Sequence, residues 1–104
     1  MIGGFVYIMT NKNNSTFYIG VTSDIVIRVW QHKNSFYPNS FTSKYKLFKL
    51  VYYEFIESGI EDAIRREKVI KGFIRDRKIN LIESSNKHYD DLYTEEFIEN
   101  YRQN

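Results

Sequence analysis

The sequence predicts an α+β domain in which helices flank a small three-stranded, mostly antiparallel sheet. Three observations predict it. Two short β-branched and aromatic runs, Phe5–Met9 and Phe17–Val21, flank an asparagine-rich turn. A third such run spans Leu47–Ile56. Segments with helical apolar periodicity lie between and after these runs, several opened by a residue suited to capping.

Taken in order, Phe5–Met9 and Phe17–Val21 read as strands. Asn11 to Ser15 between them is turn chemistry, because asparagine tolerates positive φ, so the first twenty residues form a β-hairpin. Asp24 can accept the orphan amides of a helix running from Ile25 to about Lys33. Its buried stripe would be Ile25, Val26, Val29 and Trp30. Asn34 to Lys46 lacks periodicity and reads as a loop that carries Phe36, Tyr37, Phe41 and Tyr45. The third strand has apolar residues on both faces, so it is either central or covered on both sides. Ser58 and Glu61 form a capping box that opens a helix from Gly59 to about Lys71. Gly72 stops it, and Arg75–Glu83 forms another helix. Ser84–Tyr93 is irregular, and Thr94–Tyr101 forms a last, weakly anchored helix. The organisation expected is one unit over residues 1–83 and an acidic, weakly helical extension over 84–104.

A chain of 104 residues has room for one core. Nine tyrosines and eight phenylalanines supply enough apolar bulk to exclude disorder. The absence of cysteine excludes disulfides and thiolate metal sites and fits a cytoplasmic protein. The apolar stretch Ile2–Met9 lacks a basic lead-in and is too short for a signal peptide or a membrane span, so no membrane partner is expected. The net charge of +2 is small, but its distribution is uneven. Lysines and arginines concentrate between Lys44 and Lys78, whereas Asp90, Asp91, Glu95, Glu96 and Glu99 crowd the tail. That asymmetry suits a polyanion-facing surface with a solvating C-terminus, and equally a pair of ordinary solvated helix faces.

Two positions stand out chemically. Arg28 and His32 lie four apart, one above the other, at the edge of the apolar stripe of their helix. They either form an amphipathic border or point along the sheet surface toward a site. Glu67 falls on the buried face of the later helix, defined by Ile60, Ala63 and Ile64. A buried carboxylate needs compensation, either from Lys71 at i,i+4 or from a hard divalent cation.

Phe5-Val6-Tyr7 and Tyr18-Ile19-Gly20, ten residues apart, followed by Arg28, His32, Glu67 and Asn80, resemble the ordered motifs of the GIY-YIG nuclease superfamily, in particular its small single-domain bacterial members. The resemblance covers about Gly4 to Ile82 and makes 1–83 a GIY-YIG nuclease-like domain. It departs from the family pattern in carrying Phe-Val-Tyr for Gly-Ile-Tyr, and Val21 where another branch carries lysine. It implies a metal-dependent endonuclease that hydrolyses phosphodiester bonds in DNA with one Mg2+ or Mn2+ ion. Glu67 would hold the metal, Arg28 would stabilise phosphate charge, and Tyr7, Tyr18 and His32 would position or deprotonate water. A tyrosine base would need a nearby cation to lower its pKa. Gly20 and Asn80 would be supporting residues, and Lys68, Lys71, Arg75, Arg77 and Lys78 would hold flanking phosphates. Small size favours recognition of nucleic-acid shape over base sequence. The alternatives are a catalytically weak or silent nucleic-acid-binding module of the same fold, and an adaptor acting through the aromatic loop Phe36–Tyr45.

Overall fold

The run Gly4–Thr10 carries no charged residue, and in the computed structural model, which describes residues 3–103, all seven of its residues are buried as strand β1. Ile2, at the head of the apolar N-terminal stretch, and the outer ends of the expected 1–83 and 84–104 segments lie outside the described residues. β1 is the middle strand of a three-stranded antiparallel sheet, between β2 (Phe17–Thr22) and β3 (Lys49–Ile56). Its register sets Tyr7 opposite Gly20 on β2 and Tyr53 on β3. The fold is therefore α+β, as expected.

Five helices complete the described residues: α1 (Ile25–Lys33), α2 (Phe41–Lys44), α3 (Ile60–Lys71), α4 (Arg75–Glu83) and α5 (Glu95–Tyr101). Asp24 caps α1 by accepting the Ile27 amide, and Thr94 caps α5 by accepting that of Phe97. Each cap satisfies a donor that the first helical turn leaves unpaired.

Side chains alternate across β1, so the strand feeds two cores. Phe5, Tyr7 and Met9 pack with Ile25 and Val29 of α1, Leu47, Leu50, and Phe97 of α5. Val6 and Ile8 pack on the other face with Ile19, Val51, Ala63 and Ile70 of α3, and Ile82 of α4. Gly4 lets α3 cross at close range, since a Cβ there would meet the Ala63 Cβ at 2.7 Å.

Several local expectations are corrected. Gly59, at φ 137°, caps α3 in place of Ser58, and no side chain bonds that cap. The chain must take that φ to turn out of β3, which shifts the helix start by one residue and leaves Ser58 Oγ donating to Asp62 at 2.5 Å instead of pairing with Glu61. Trp30 is 47% exposed and rests against Phe36 rather than in the core. The aromatic loop contains the short α2, with Ser40 as its cap. β3 is an edge strand covered on both faces. On α3 the buried residues are Ala63 and Ile70, with Ile60 and Ile64 at the margin. The tail is anchored more firmly than its composition suggested. Asp91 pairs with Lys33 and accepts the Leu50 amide, and Phe97 is only 4% exposed.

Candidate active site

Tyr7 is buried at the centre of the sheet, so its hydroxyl reaches a reactive position only if the next strand lets the ring pass. Gly20 does so. A Cβ on Gly20 would stand 2.4 Å from both Cζ and the hydroxyl of Tyr7. Even alanine is excluded while the phenol lies there. Two residues earlier on β2, Tyr18 projects to the same face, its ring 6.2 Å from that of Tyr7.

Helix α1 supplies the facing wall. Of the stacked positions Arg28 and His32, His32 turns its ring toward the tyrosines, and the Arg28 charge acts on both Tyr7 and His32. The His32 ring lies 5.6 Å from Tyr7 and 5.4 Å from Tyr18. His32 Nε2 is 2.7 Å from the Tyr7 hydroxyl, and His32 Nδ1 is 2.9 Å from Thr42 Oγ1. Thr42 is buried on α2 and lies 3.2 Å from Ser40 Oγ. A proton can run along this chain in either sense: with Nδ1 protonated, His32 donates to Thr42 and accepts from Tyr7, and the other tautomer reverses both bonds. Thr42 and Ser40 were hidden in the sequence inside a loop without periodicity. The one available signal was Ser40 as a possible cap three residues before Ser43.

Burial pushes the Tyr7 phenol well above the usual tyrosine range, with Tyr18 reinforcing the shift, Arg28 opposing it and Glu67 adding to it. Desolvation outweighs the Arg28 guanidinium, so that cation alone does not acidify the phenol. His32 is lowered to about 4, chiefly by burial and then by Arg28. Both groups are neutral at neutral pH.

Glu67 comes from α3, on the other side of the sheet. Its side chain is 12% exposed and pairs at 3.1 Å with Lys71, whose own side chain is 53% exposed. Of the two compensations considered for this carboxylate, the structure supplies Lys71, and the Glu67 charge also acts on Tyr7. Among the described residues no three His, Asp or Glu side chains gather as a complete metal cage. A single, largely buried carboxylate nonetheless fits a hard divalent ion of the magnesium type, which keeps several waters and takes substrate oxygens as further ligands.

Tyr7, Tyr18, Gly20 and His32 thus lie together, and the charges of Arg28 and Glu67 both act on Tyr7. Asn80 does not join them. It is exposed on α4 and lines a shallow groove with Arg66, Phe73, Arg77, Leu81 and Ser84. The buried asparagine of this region is Asn86, whose amide donates to the carbonyls of Val51 (3.0 Å) and Asp90 (2.9 Å) and whose oxygen accepts the Asp90 amide. The basic residues are also dispersed. Arg75 lies 4.6 Å over Phe17 beside the hairpin, whereas Arg77 lies 4.2 Å over Phe73 in the Asn80 groove. Lys68 and Lys71 are exposed on α3, and Lys78 is half-buried.

Comparison with known proteins adds a second line to this geometry. A family model described as the GIY-YIG catalytic domain matches residues 3–80. The chain is 38% identical over 79 residues to a UPF0213 protein of Staphylococcus haemolyticus, covering 76% of this chain and 93% of that protein. It is 33% identical over 89 residues to a UPF0213 protein of Desulfotalea psychrophila, covering 86% and 79% of the two. The solution NMR structure of a UPF0213 protein from Bacillus halodurans superposes with a TM-score of 0.55 at 27% identity, covering 86% of this chain and 93% of that one.

Proposed function

The chain belongs to the GIY-YIG catalytic-domain family, a family of nucleases, and from that premise we propose that it is a metal-dependent endonuclease that hydrolyses phosphodiester bonds in DNA. The observation that carries the reading is the 2.7 Å contact between the buried Tyr7 hydroxyl and a neutral His32, set beside Arg28 and Glu67. Hydrolysis needs a proton acceptor for water and positive charge for the phosphate, and this cluster holds both.

Tyr7 would not ionise. The attacking water would give its proton to the Tyr7 oxygen while the Tyr7 proton passes to His32 Nε2, so the phenol relays and never bears charge. His32 alone is a weak base, but a phosphodiester anion beside it would raise its pKa toward the working range. Thr42 accepts from Nδ1 and holds the tautomer that makes Nε2 the acceptor. Arg28 would neutralise charge developing on the phosphate, and Tyr18 would orient the water from the adjacent strand position. Glu67 would hold one Mg2+ or Mn2+, which when bound supplies Lewis-acid polarisation of a phosphate oxygen. Lys68, Lys71, Arg75, Arg77 and Lys78 are proposed phosphate contacts, with Lys71 paired to Glu67 and Arg75 over Phe17 at the start of β2. Residues 1–83 form the catalytic unit in this reading, with 84–104 bracing it through Asp91 and Phe97. No helix among the described residues is long and apolar enough to cross a membrane, and a cytoplasmic location is proposed from the lack of cysteine.

The test is cleavage of labelled duplex, single-stranded, forked and four-way DNA with magnesium, manganese or EDTA, using wild type and Glu67→Ala in parallel. Cutting that requires metal and disappears in the variant is expected, strongest on one branched or interrupted shape. Salt-sensitive binding without cutting on any substrate would replace this reading with that of a silent binding module.

A further inference from the structure

A groove of about 410 Å³ lies between the hairpin turn and the segment joining α2 to β3. Lys12, Lys46 and Lys49 line it together with Asn13, Tyr45 and Phe48, and among the described residues no carboxylate lines it. Its walls are held in place. Asn11 clamps the turn by accepting the Ser15 amide at 2.8 Å, and Lys46 sits at φ 57° between the amide–carbonyl bonds Lys46–Ser43 and Leu47–Thr42. Lys49 donates to the Tyr89 carbonyl at 3.0 Å and keeps two further N–H groups.

Aromatic rings connect this groove to the candidate active site. Tyr18 stacks on Phe41 at 6.5 Å and 29°, and Phe41 meets Tyr45 at 4.7 Å. Phe41 and Tyr45 are 47% and 56% exposed, so about half of each side chain remains accessible to a ligand beyond these ring contacts. Exposed rings alternating with lysines are what an unpaired strand requires: bases stack on the rings and phosphates meet the ammonium groups. A duplex keeps its bases stacked inward and has no use for the rings.

We propose that the Lys12–Tyr45–Lys46 groove is a subsite for a single-stranded nucleic-acid segment, fed along the Phe41–Tyr45 rings from the point of cleavage. The proposal rests on the nuclease reading for its direction and adds a substrate class, nucleic acid with an unpaired arm beside the scissile bond. Two ring-to-ring steps span on the order of three nucleotides at the ~3.4 Å rise of a stacked strand.

Binding measured in EDTA tests the groove apart from catalysis. The probe is fluorescein-labelled oligothymidylate of about 12 nucleotides, within the range of known single-strand sites, beside a blunt hairpin duplex. The variants are Tyr45→Ala, which removes an exposed ring, and Lys12→Glu with Lys46→Asn, which removes charge while asparagine accepts the positive φ. Tyr45→Ala is expected to weaken oligothymidylate binding about tenfold and leave duplex binding within about twofold. The lysine variants are expected to lower the salt slope for the single strand by about one per position. Absence of oligothymidylate binding by the wild type, unchanged binding by Tyr45→Ala, or equal losses on both probes would overturn the subsite. None of these results depends on cleavage, so the nuclease reading stands or falls separately on the Glu67→Ala assay.

Discussion

On one face of β1, Phe5, Tyr7 and Met9 pack with buried Phe97, with Tyr18, Tyr53, Tyr93 and Tyr101 at the margin; on the other, Val6 and Ile8 meet a buried layer that is aliphatic apart from Tyr52. In the first layer Phe97 lies 5.0 Å from both Tyr53 and Tyr101, and Tyr101 lies 5.5 Å from Phe5. Tyrosine and histidine bury an apolar body and still present a polar tip, so this layer can carry hydroxyls and an imidazole into the interior at modest cost. In the second layer the phenolic tips of Tyr52 and Tyr89 are taken up by Glu54 and Glu83. Of the candidate site residues, Glu67 alone comes from the helix packed on the second layer, with its side chain largely buried. The difference teaches why the chemistry is unevenly sourced: phenols, imidazole and guanidinium from the aromatic side, the carboxylate from the other.

The comparison is best attacked first through Phe97. Phe97→Ala should cost about 3–5 kcal/mol of unfolding free energy, as buried aromatics do, measured by urea denaturation. A loss below about 1 kcal/mol would show that the acidic tail is not part of the aromatic layer. Gly20→Ala should cost less, about 1–3 kcal/mol from overpacking, yet lower the cleavage rate far more than this implies, because the new Cβ occupies the place of the phenol. A variant with unchanged cleavage would mean that Tyr7 need not lie over Gly20 to function.

Glu67→Gln sharpens the contrast from the aliphatic side. Its partner Lys71 is half exposed, so the ion pair contributes little, and stability should change by less than about 1 kcal/mol while cleavage is lost. A large stability loss with cleavage retained would make Glu67 a structural partner of Lys71 and nothing more.

The smallest expected effect is on pH dependence. His32 in the native state titrates near 4, below its ordinary value of 6.5. Between those values the unfolded chain takes up a proton that the native pocket refuses, so stability falls as pH drops through that window. The loss should be on the order of 1 kcal/mol after solvent screening and should flatten in His32→Gln. Urea midpoints at several pH values would show it, and an identical slope in both proteins would place the titration elsewhere.

Much of this was legible from residue order. The hairpin was readable because asparagines flanked by β-branched and aromatic runs leave few local choices, and Asp24 announced its helix because a carboxylate there satisfies an otherwise orphaned amide. Arg28 and His32 were visible as a pair because four residues make one helical turn, and Glu67 because a charge on an apolar face is conspicuous. Asn80 was chosen on spacing, and spacing cannot tell an exposed helix position from a loop residue such as Asn86 that folds back onto Val51. Trp30 was assigned to the core by periodicity, but α1 turns it outward onto Phe36.

Local chemistry determined the elements, their order and the residue types able to serve a site, because caps, turns and periodicities act within a few residues. Only the tertiary structure decided that Thr42 backs His32, that Tyr7 remains protonated, and that the charge of Glu67 acts on Tyr7 from the opposite layer. Those outcomes depend on desolvation and on contacts between residues 10 to 60 positions apart, roughly the scale over which sequence periodicity carries no information about packing.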